Sequence, residues 1–88
     1  MLTNKEVNTL KKAYSICLKY GDYYPADSIE DILQGKVDSI KPEKNDGFML
    51  EDEADILGDA INICDKLGKY GTGDSILDAI NKHLKEDF

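Results

Sequence analysis

The feature that most constrains the fold is an internal repeat. When the chain is shifted by 47 residues, residues 6–33 align with residues 53–80 without a gap, and twelve of the 28 positions are identical. The identical pairs are Glu6/Glu53, Leu10/Leu57, Ala13/Ala60, Ile16/Ile63, Cys17/Cys64, Lys19/Lys66, Gly21/Gly68, Tyr23/Tyr70, Asp27/Asp74, Ser28/Ser75, Ile29/Ile76 and Asp31/Asp78. The match includes glycines and polar residues, so it indicates a duplicated structural unit. Two copies are too few for a solenoid, and we expect them to pack together in one domain of residues 1–88.

Each unit has the pattern of a long helix that ends at a glycine. In the first unit, Thr3 and Glu6 have the spacing of a capping box, and apolar residues follow at helical spacing. The series stops at Gly21, and the second unit repeats the pattern as far as Gly68. A glycine after the last periodic residue is typical of a helix C-terminus. The sequence therefore predicts one such helix in each unit.

A second, shorter helix is predicted to begin at a serine in each unit. Ser28 with Asp31, and Ser75 with Asp78, match a capping pattern in which the serine side chain binds a free backbone N–H. This interpretation assigns the shared residues Asp27, Ser28 and Asp31 to helix capping. It predicts four helices in total.

The predicted fold is all-α, a four-helix bundle built from two duplicated hairpins related by an approximate two-fold axis. Gly35 is expected to end the second helix, and residues 36–48 form the linker between the units. Whether the chain is a monomer or a homodimer stays open, because the two units can satisfy their two-fold internally or leave an apolar strip for a second copy.

The charge of the chain limits the classes of partner. Eighteen acidic and eleven basic residues give the 88-residue chain a net charge of -7. Such a field repels nucleic-acid phosphates and speeds association with basic proteins, although it also serves solubility. The chain has no apolar run long enough to cross a bilayer, and its N-terminus lacks a signal-peptide core. We expect a cytoplasmic protein that contacts neither nucleic acid nor membrane.

Residues suited to catalysis or metal binding are few. The only histidine, His83, lies in a charged stretch and is expected at the surface rather than as a general base. Cys17 and Cys64 occupy equivalent positions and are expected to be buried and unreactive. One histidine and two separated cysteines do not form a zinc site, and the acidic stretches lack a calcium-loop pattern. We therefore expect no enzymatic activity, no cofactor and no metal.

The repeat also separates residues of the scaffold from residues that are free to bind a partner. Tyr23 is shared with Tyr70 and is expected to pack against its own helix pair. The residues that differ between the copies make the first turn acidic, aromatic and stiff, which suits a binding hot spot. They are Asp22, Tyr24, Pro25 and Glu30. With Tyr23, they form the first candidate site.

A second candidate cluster consists of Glu51, Asp52 and Asp55, at the start of the predicted third helix. These carboxylates suit a basic partner. An equally good interpretation is that they compensate the positive end of the helix dipole and form a solvated face. The sequence does not choose between these two interpretations.

Residues Asp22–Ile32 resemble the Tyr-Tyr-Pro segment of the nuclease-colicin immunity proteins, which are small acidic four-helix proteins that bind and block a toxic nuclease. On this resemblance, Tyr23, Tyr24 and Pro25 match the recognition tripeptide of that family. The repeated unit, an apolar helix followed by Gly-x-Tyr and then Asp-Ser-Ile-x-Asp, is also similar to a helix-turn-helix in immunity proteins of contact-dependent growth-inhibition systems. Both resemblances imply a protein that neutralises a toxin.

Three functional hypotheses follow. The first is an immunity protein that binds and neutralises a basic toxin domain, in particular a nuclease. The second is a phage-type inhibitor of a host nucleic-acid-binding protein, in which carboxylates stand in for phosphates. The third is a structural or adaptor domain whose charge only confers solubility. A small enzyme is the least favoured class.

Overall fold

The computed structural model describes residues 2–37 and 48–84. This part of the chain forms four helices: α1 (Asn4–Lys19), α2 (Tyr23–Ile32), α3 (Glu51–Lys66) and α4 (Tyr70–His83). Helix α1 packs on α2 and α3 packs on α4, while contacts between α1 and α3 and between α2 and α4 join the two hairpins. The predicted all-α four-helix bundle is confirmed. Most of the predicted linker, residues 38–47, lies outside the described residues.

The predicted start of the first helix is correct. Thr3 Oγ1 accepts a hydrogen bond from the Glu6 N–H, and Glu6 Oε1 accepts one from the Thr3 N–H, which completes a capping box. At the equivalent place in the second unit, the Leu50 N–H donates to Glu53 Oε1 over 3.0 Å. Leu50 has no hydroxyl group, so only the glutamate half of the box is kept there.

The two predicted glycine stops are also correct. Gly21 and Gly68 have φ angles of 78° and 77°, in the left-handed region that a glycine enters without a steric penalty. The residue after each glycine donates its N–H back into the helix, Asp22 to the Cys17 carbonyl and Lys69 to the Cys64 carbonyl, both over 2.8 Å. This pattern is a Schellman motif, made twice at equivalent positions.

The predicted start of the second helix is wrong in both units. Helices α2 and α4 begin at Tyr23 and Tyr70, so Ser28 and Ser75 lie inside helices and cap nothing. The Ser75 hydroxyl donates instead to the Gly71 carbonyl, one turn earlier. The physical reason is the Schellman motif, which turns the chain within two residues and leaves no extended segment for a later serine cap.

The end of α2 differs slightly from the prediction. The helix ends at Ile32, and the left-handed residue that follows its C-cap is Gln34, with φ 57°, rather than Gly35. Gly35 also has a positive φ, 77°, and its N–H donates to the Glu30 carbonyl. The glycine therefore completes the turn one residue after the position expected for it.

The core is built mainly from positions that are identical in the two units. The pairs in which both side chains are buried are Leu10/Leu57, Ala13/Ala60, Ile16/Ile63, Cys17/Cys64 and Ile29/Ile76. Burial raises the pKa of the Cys17 thiol to about 12 and that of Cys64 to about 11. The predicted burial of both cysteines is confirmed, and the raised pKa values favour the protonated thiols at neutral pH.

Candidate binding surface

The tyrosines of the first candidate site lie at the exposed start of α2. The side chain of Tyr23 is 57% exposed and that of Tyr24 is 73% exposed. The expectation that Tyr23 and Tyr70 pack against their own helix pairs is wrong, since Tyr70 is also exposed. The reason is the early start of α2 and α4, which places both rings on the first turn of a helix and not in a packed turn between helices.

Asp22 is held inside the protein. Its carboxylate is 9% exposed, Oδ2 lies 2.9 Å from His83 Nε2, and Oδ1 lies 3.9 Å from Lys82 Nζ. Neither Oδ2 nor Nε2 makes a hydrogen bond of acceptable angle, so the contact is a close approach of the carboxylate to the imidazole rather than a hydrogen bond. Asp22 therefore ties the start of α2 to the end of α4.

His83 does not lie at the surface as predicted. Its side chain is only 17% exposed, and its ring centroid lies 5.1 Å from that of Tyr20. The sequence pattern does not indicate this burial, because Tyr20 and Asp22, which contact His83, belong to the first unit. The contact with Asp22 thus joins the two units.

Pro25 and Glu30 also have roles within the fold. Pro25 is buried in the first turn of α2, where a missing N–H breaks no helical hydrogen bond. Glu30 is half-buried, and its Oε2 accepts a hydrogen bond of 3.1 Å from the Tyr14 hydroxyl. Burial, together with this acceptor, raises the pKa of Tyr14. Of the four candidate residues that differ between the copies, Asp22, Tyr24, Pro25 and Glu30, Tyr24 is the one with a highly exposed side chain.

The structure reveals a repeated surface that the sequence interpretation missed. Asp27 and Asp31 are exposed and follow Tyr23 at intervals of four residues, so the three side chains share one face of α2. Tyr70, Asp74 and Asp78 repeat the arrangement on α4. We call these sets the α2 stripe (Tyr23, Asp27, Asp31) and the α4 stripe (Tyr70, Asp74, Asp78). The assignment of these aspartates to helix capping had hidden them.

The stripes have no evident role in the fold. Their six side chains make no ion pair and no side-chain hydrogen bond with any residue of the described ranges. All six are nevertheless identical in the two units. Asp31 lines a groove together with Thr72 of α4, and Asp78 lines a groove together with Tyr24 of α2. Each stripe therefore borders the contact between α2 and α4, and we call this surface the α2–α4 side of the bundle.

Tyr24 lies beside this surface. It lines a shallow groove of about 240 Å³ between α2 and α4, together with Asp78 and Lys82. The groove thus brings the unpaired tyrosine of the first unit next to the α4 stripe. No residue of α3 lines it.

The second predicted cluster is exposed but separate from this groove. Glu51, Asp52 and Asp55 all lie at the surface in the first turns of α3. Their neighbour Glu53 is different, because its carboxylate is largely buried and accepts hydrogen bonds from Lys19 and Tyr20. Glu51 and Asp52 lie in the first turn of α3, which is consistent with compensation of the helix dipole, whereas Asp55 lies beyond that turn on a solvated face.

Within residues 2–37 and 48–84, no group of three or more histidine, cysteine or acidic side chains is arranged to hold a metal ion. No helix in these ranges is long and apolar enough to cross a membrane. Comparisons with protein-family models, curated proteins and solved structures gave no significant match to this chain.

Proposed function

We propose that the chain is a non-enzymatic binding protein that uses the α2 and α4 stripes to hold a basic protein partner. The function that best fits is that of an immunity protein that neutralises a basic toxin, in particular a nuclease. The observation that carries this proposal is the repetition of six exposed side chains that the fold does not use.

Tyrosine suits the centre of such an interface. An aromatic ring gives a large contact area at a low cost in conformational entropy, because binding restricts rotation about only two side-chain torsions. Tyrosine is also enriched among hot-spot residues. Tyr23 and Tyr70 each follow a Schellman turn, so the backbone that carries them is ordered before binding. Tyr24, the most exposed of the described tyrosines, extends the α2 part of this surface.

The aspartates supply charge complementarity. Four unpaired carboxylates on the α2–α4 side add to the field of a chain with net charge -7. A field of this sign attracts a basic surface over long distances and raises the association rate, whereas the buried tyrosine contacts slow dissociation. A nuclease with a basic substrate channel is a partner of the required charge.

A capture experiment with charge-matched variants tests the proposal. The tagged chain is immobilised, exposed to a lysate of the source cell at low salt, and eluted with increasing salt. The stripe variant replaces Asp27, Asp31, Asp74 and Asp78 by asparagine. The control variant carries Glu51→Gln, Asp52→Asn, Asp55→Asn and Asp59→Asn, four exposed acids of α3, and so makes the same change in net charge.

We expect the stripe variant to lose a captured basic protein and the control variant to retain it. A Tyr23→Ala, Tyr70→Ala double variant should weaken capture at least about tenfold. The purified partner should show nuclease activity that the wild-type chain inhibits. Equal losses in the two charge variants would assign binding to net charge alone, and capture that survives all stripe changes would refute the assignment.

A second candidate function uses the same surface. Aspartates four residues apart on a helix lie about 6 Å apart along its axis, which makes each stripe a short row of negative charge. This spacing favours an inhibitor that occupies a nucleic-acid-binding protein in place of phosphates. In that case the captured protein binds DNA or RNA without cleaving it, and the chain competes with the nucleic acid.

A further inference from the structure

The two ends of the bundle that the approximate two-fold relates are filled differently. At one end, Tyr20 and Met49 are buried, with 6% and 4% of their surface exposed, and the ring of His83 packs against Tyr20. The positions 47 residues away from these three hold Leu67, Leu2 and Lys36. Leu67 is 37% exposed. Because a leucine stands here in place of a tyrosine, the described residues leave this second end open.

The open end forms a groove of about 710 Å³ between the start of α1, the end of α2 and the start of α4. Its apolar lining consists of Leu2, Val7, Ile32, Leu33 and Leu67. Small-molecule sites typically have volumes of roughly 300–1,000 Å³ and apolar walls with a few polar groups. The groove has the volume of such a site, although six of its eleven described lining residues are polar or charged.

The charges of the groove are opposite to those of the chain. Lys36 and Lys69 both line it, and neither pairs with a carboxylate of the described residues. At the filled end the equivalent positions hold His83 and Asp22, which pair with each other. Asp31 is the one acid among the described lining residues. Two unpaired lysines beside an apolar wall favour an anionic ligand with an apolar body.

The filled end indicates the shape of that body. There the Tyr20 ring packs against His83 and belongs to the same buried cluster as Met49, and its hydroxyl donates to Glu53 Oε1. Within the described part of the chain, the corresponding groove is lined by Leu2, Leu67 and Lys36 and is open to solvent. A single aromatic ring is the group that the same fold accommodates in the equivalent position.

We propose that this groove binds a small aromatic carboxylate. The ring lies against Leu2 and Leu67, and the carboxylate lies between Lys36 and Lys69. The groove shares one lining residue, Asp31, with the α2 stripe, but the proposed contacts to the ligand come from Lys36, Lys69 and aliphatic side chains and do not depend on the stripes. It provides the chain with a small-molecule site at the end of the bundle opposite Tyr20.

The binding test is an amide chemical-shift titration of the ¹⁵N-labelled full chain. The probe is 3-(4-hydroxyphenyl)propionate, and the matched probe is tyramine, which carries the same ring on an ammonium group. We expect saturable shifts of the Leu2, Val7, Leu33 and Leu67 amides with a dissociation constant of about 1 mM or tighter. Tyramine should bind at least about tenfold more weakly. Shifts that do not saturate, or equal binding of both probes, would overturn the proposal.

Two sets of variants test the geometry. Lys36→Gln with Lys69→Gln should weaken binding of the carboxylate about tenfold. The control, Lys5→Gln with Lys12→Gln, makes the same charge change at exposed positions outside the groove and should leave binding unchanged. Leu67→Tyr should abolish binding, because the new ring repeats the arrangement of Tyr20. A Leu67→Tyr chain with a native-like spectrum that still binds the probe, or an equal effect of the two lysine pairs, contradicts the proposed site.

Discussion

Lys19 Nζ lies 2.8 Å from Glu53 Oε2, and this contact joins the first unit to the second. Lys66 Nζ lies 3.3 Å from Glu6 Oε2. Because Lys19 is equivalent to Lys66 and Glu6 to Glu53, the approximate two-fold converts one ion pair into the other. The identity of these four charged positions in the repeat is therefore explained by the packing of the two units on each other.

The two ion pairs differ in strength, and we predict unequal effects of their removal. The Glu53 and Glu6 carboxylates are similarly covered, at 13% and 16% exposed, but Lys19 is 30% exposed whereas Lys66 is 72% exposed. Glu53 also accepts a hydrogen bond from the Tyr20 hydroxyl, and the residue equivalent to Tyr20 in the second unit, Leu67, has no hydroxyl group. Glu53→Gln should lower the free energy of unfolding by about 1–3 kcal/mol. Glu6→Gln should have a smaller effect, because an exposed ion pair contributes little. Urea unfolding of both variants measures the difference, and a larger loss for Glu6→Gln would contradict this explanation.

The same carboxylate predicts loss of stability in acid. Burial of Glu53 alone would raise its pKa, but hydrogen bonds from Lys19, Tyr20 and the Leu50 N–H outweigh burial and lower the pKa below 4.5. A carboxyl group whose pKa is lower in the folded state stabilises the fold above its unfolded pKa, and this contribution disappears as the pH falls through the folded pKa. The unfolding free energy should therefore decrease below about pH 4.5.

Glu53→Gln provides the control for this pH dependence. Urea unfolding of the wild type and the variant between about pH 3 and pH 7 should give unfolding free energies that converge at low pH. At low pH the wild type loses the stabilising contribution of the ionised Glu53 carboxylate, which the variant lacks at every pH. Glu6, whose pKa is lowered mainly by its hydrogen bond to the Thr3 N–H, retains part of the acid sensitivity in the variant. A constant difference between the curves would show that Glu53 is not the titrating group.

The sequence predicted the parts of the fold that depend on local patterns. The apolar spacing of α1 and α3 and the glycines after them follow from helix geometry and from the freedom of glycine at positive φ. The repeat then identified the core, since the positions identical in both units include most of the buried pairs. These features depend on residues that are close together in the sequence, or they occur in both units.

The sequence failed where the environment comes from distant residues. The comparison of the two units places Asp22 among the residues free to bind a partner, because the second unit has Lys69 there, but Asp22 contacts His83 of the second unit. Conversely, the Ser-x-x-Asp pattern predicts that Asp27 and Asp31 belong to a helix cap, but this short pattern also occurs inside helices, as it does in α2. The stripes became visible only when the helix starts were known.

Two glycines of the second unit should respond in opposite directions to alanine. Gly58 lies inside α3 without a positive φ, and a methyl group there meets no atom within 4 Å. Gly58→Ala should therefore raise the unfolding free energy by about 0.5–1 kcal/mol. Gly68 has φ 77°, so Gly68→Ala should lower it by roughly 1–2 kcal/mol. Urea unfolding measures both changes, and a loss of stability in Gly58→Ala would reveal a contact on this face of α3.

The contact between Asp22 and His83 should couple the start of α2 to the end of α4. Asp22→Asn and His83→Gln should each lower the unfolding free energy, and the double variant should lose less than the sum, with a coupling energy of about 0.5–1.5 kcal/mol. Urea unfolding of the wild type, the two single variants and the double variant gives the coupling energy directly. Losses that add fully would show that the two groups are neighbours without an energetic interaction.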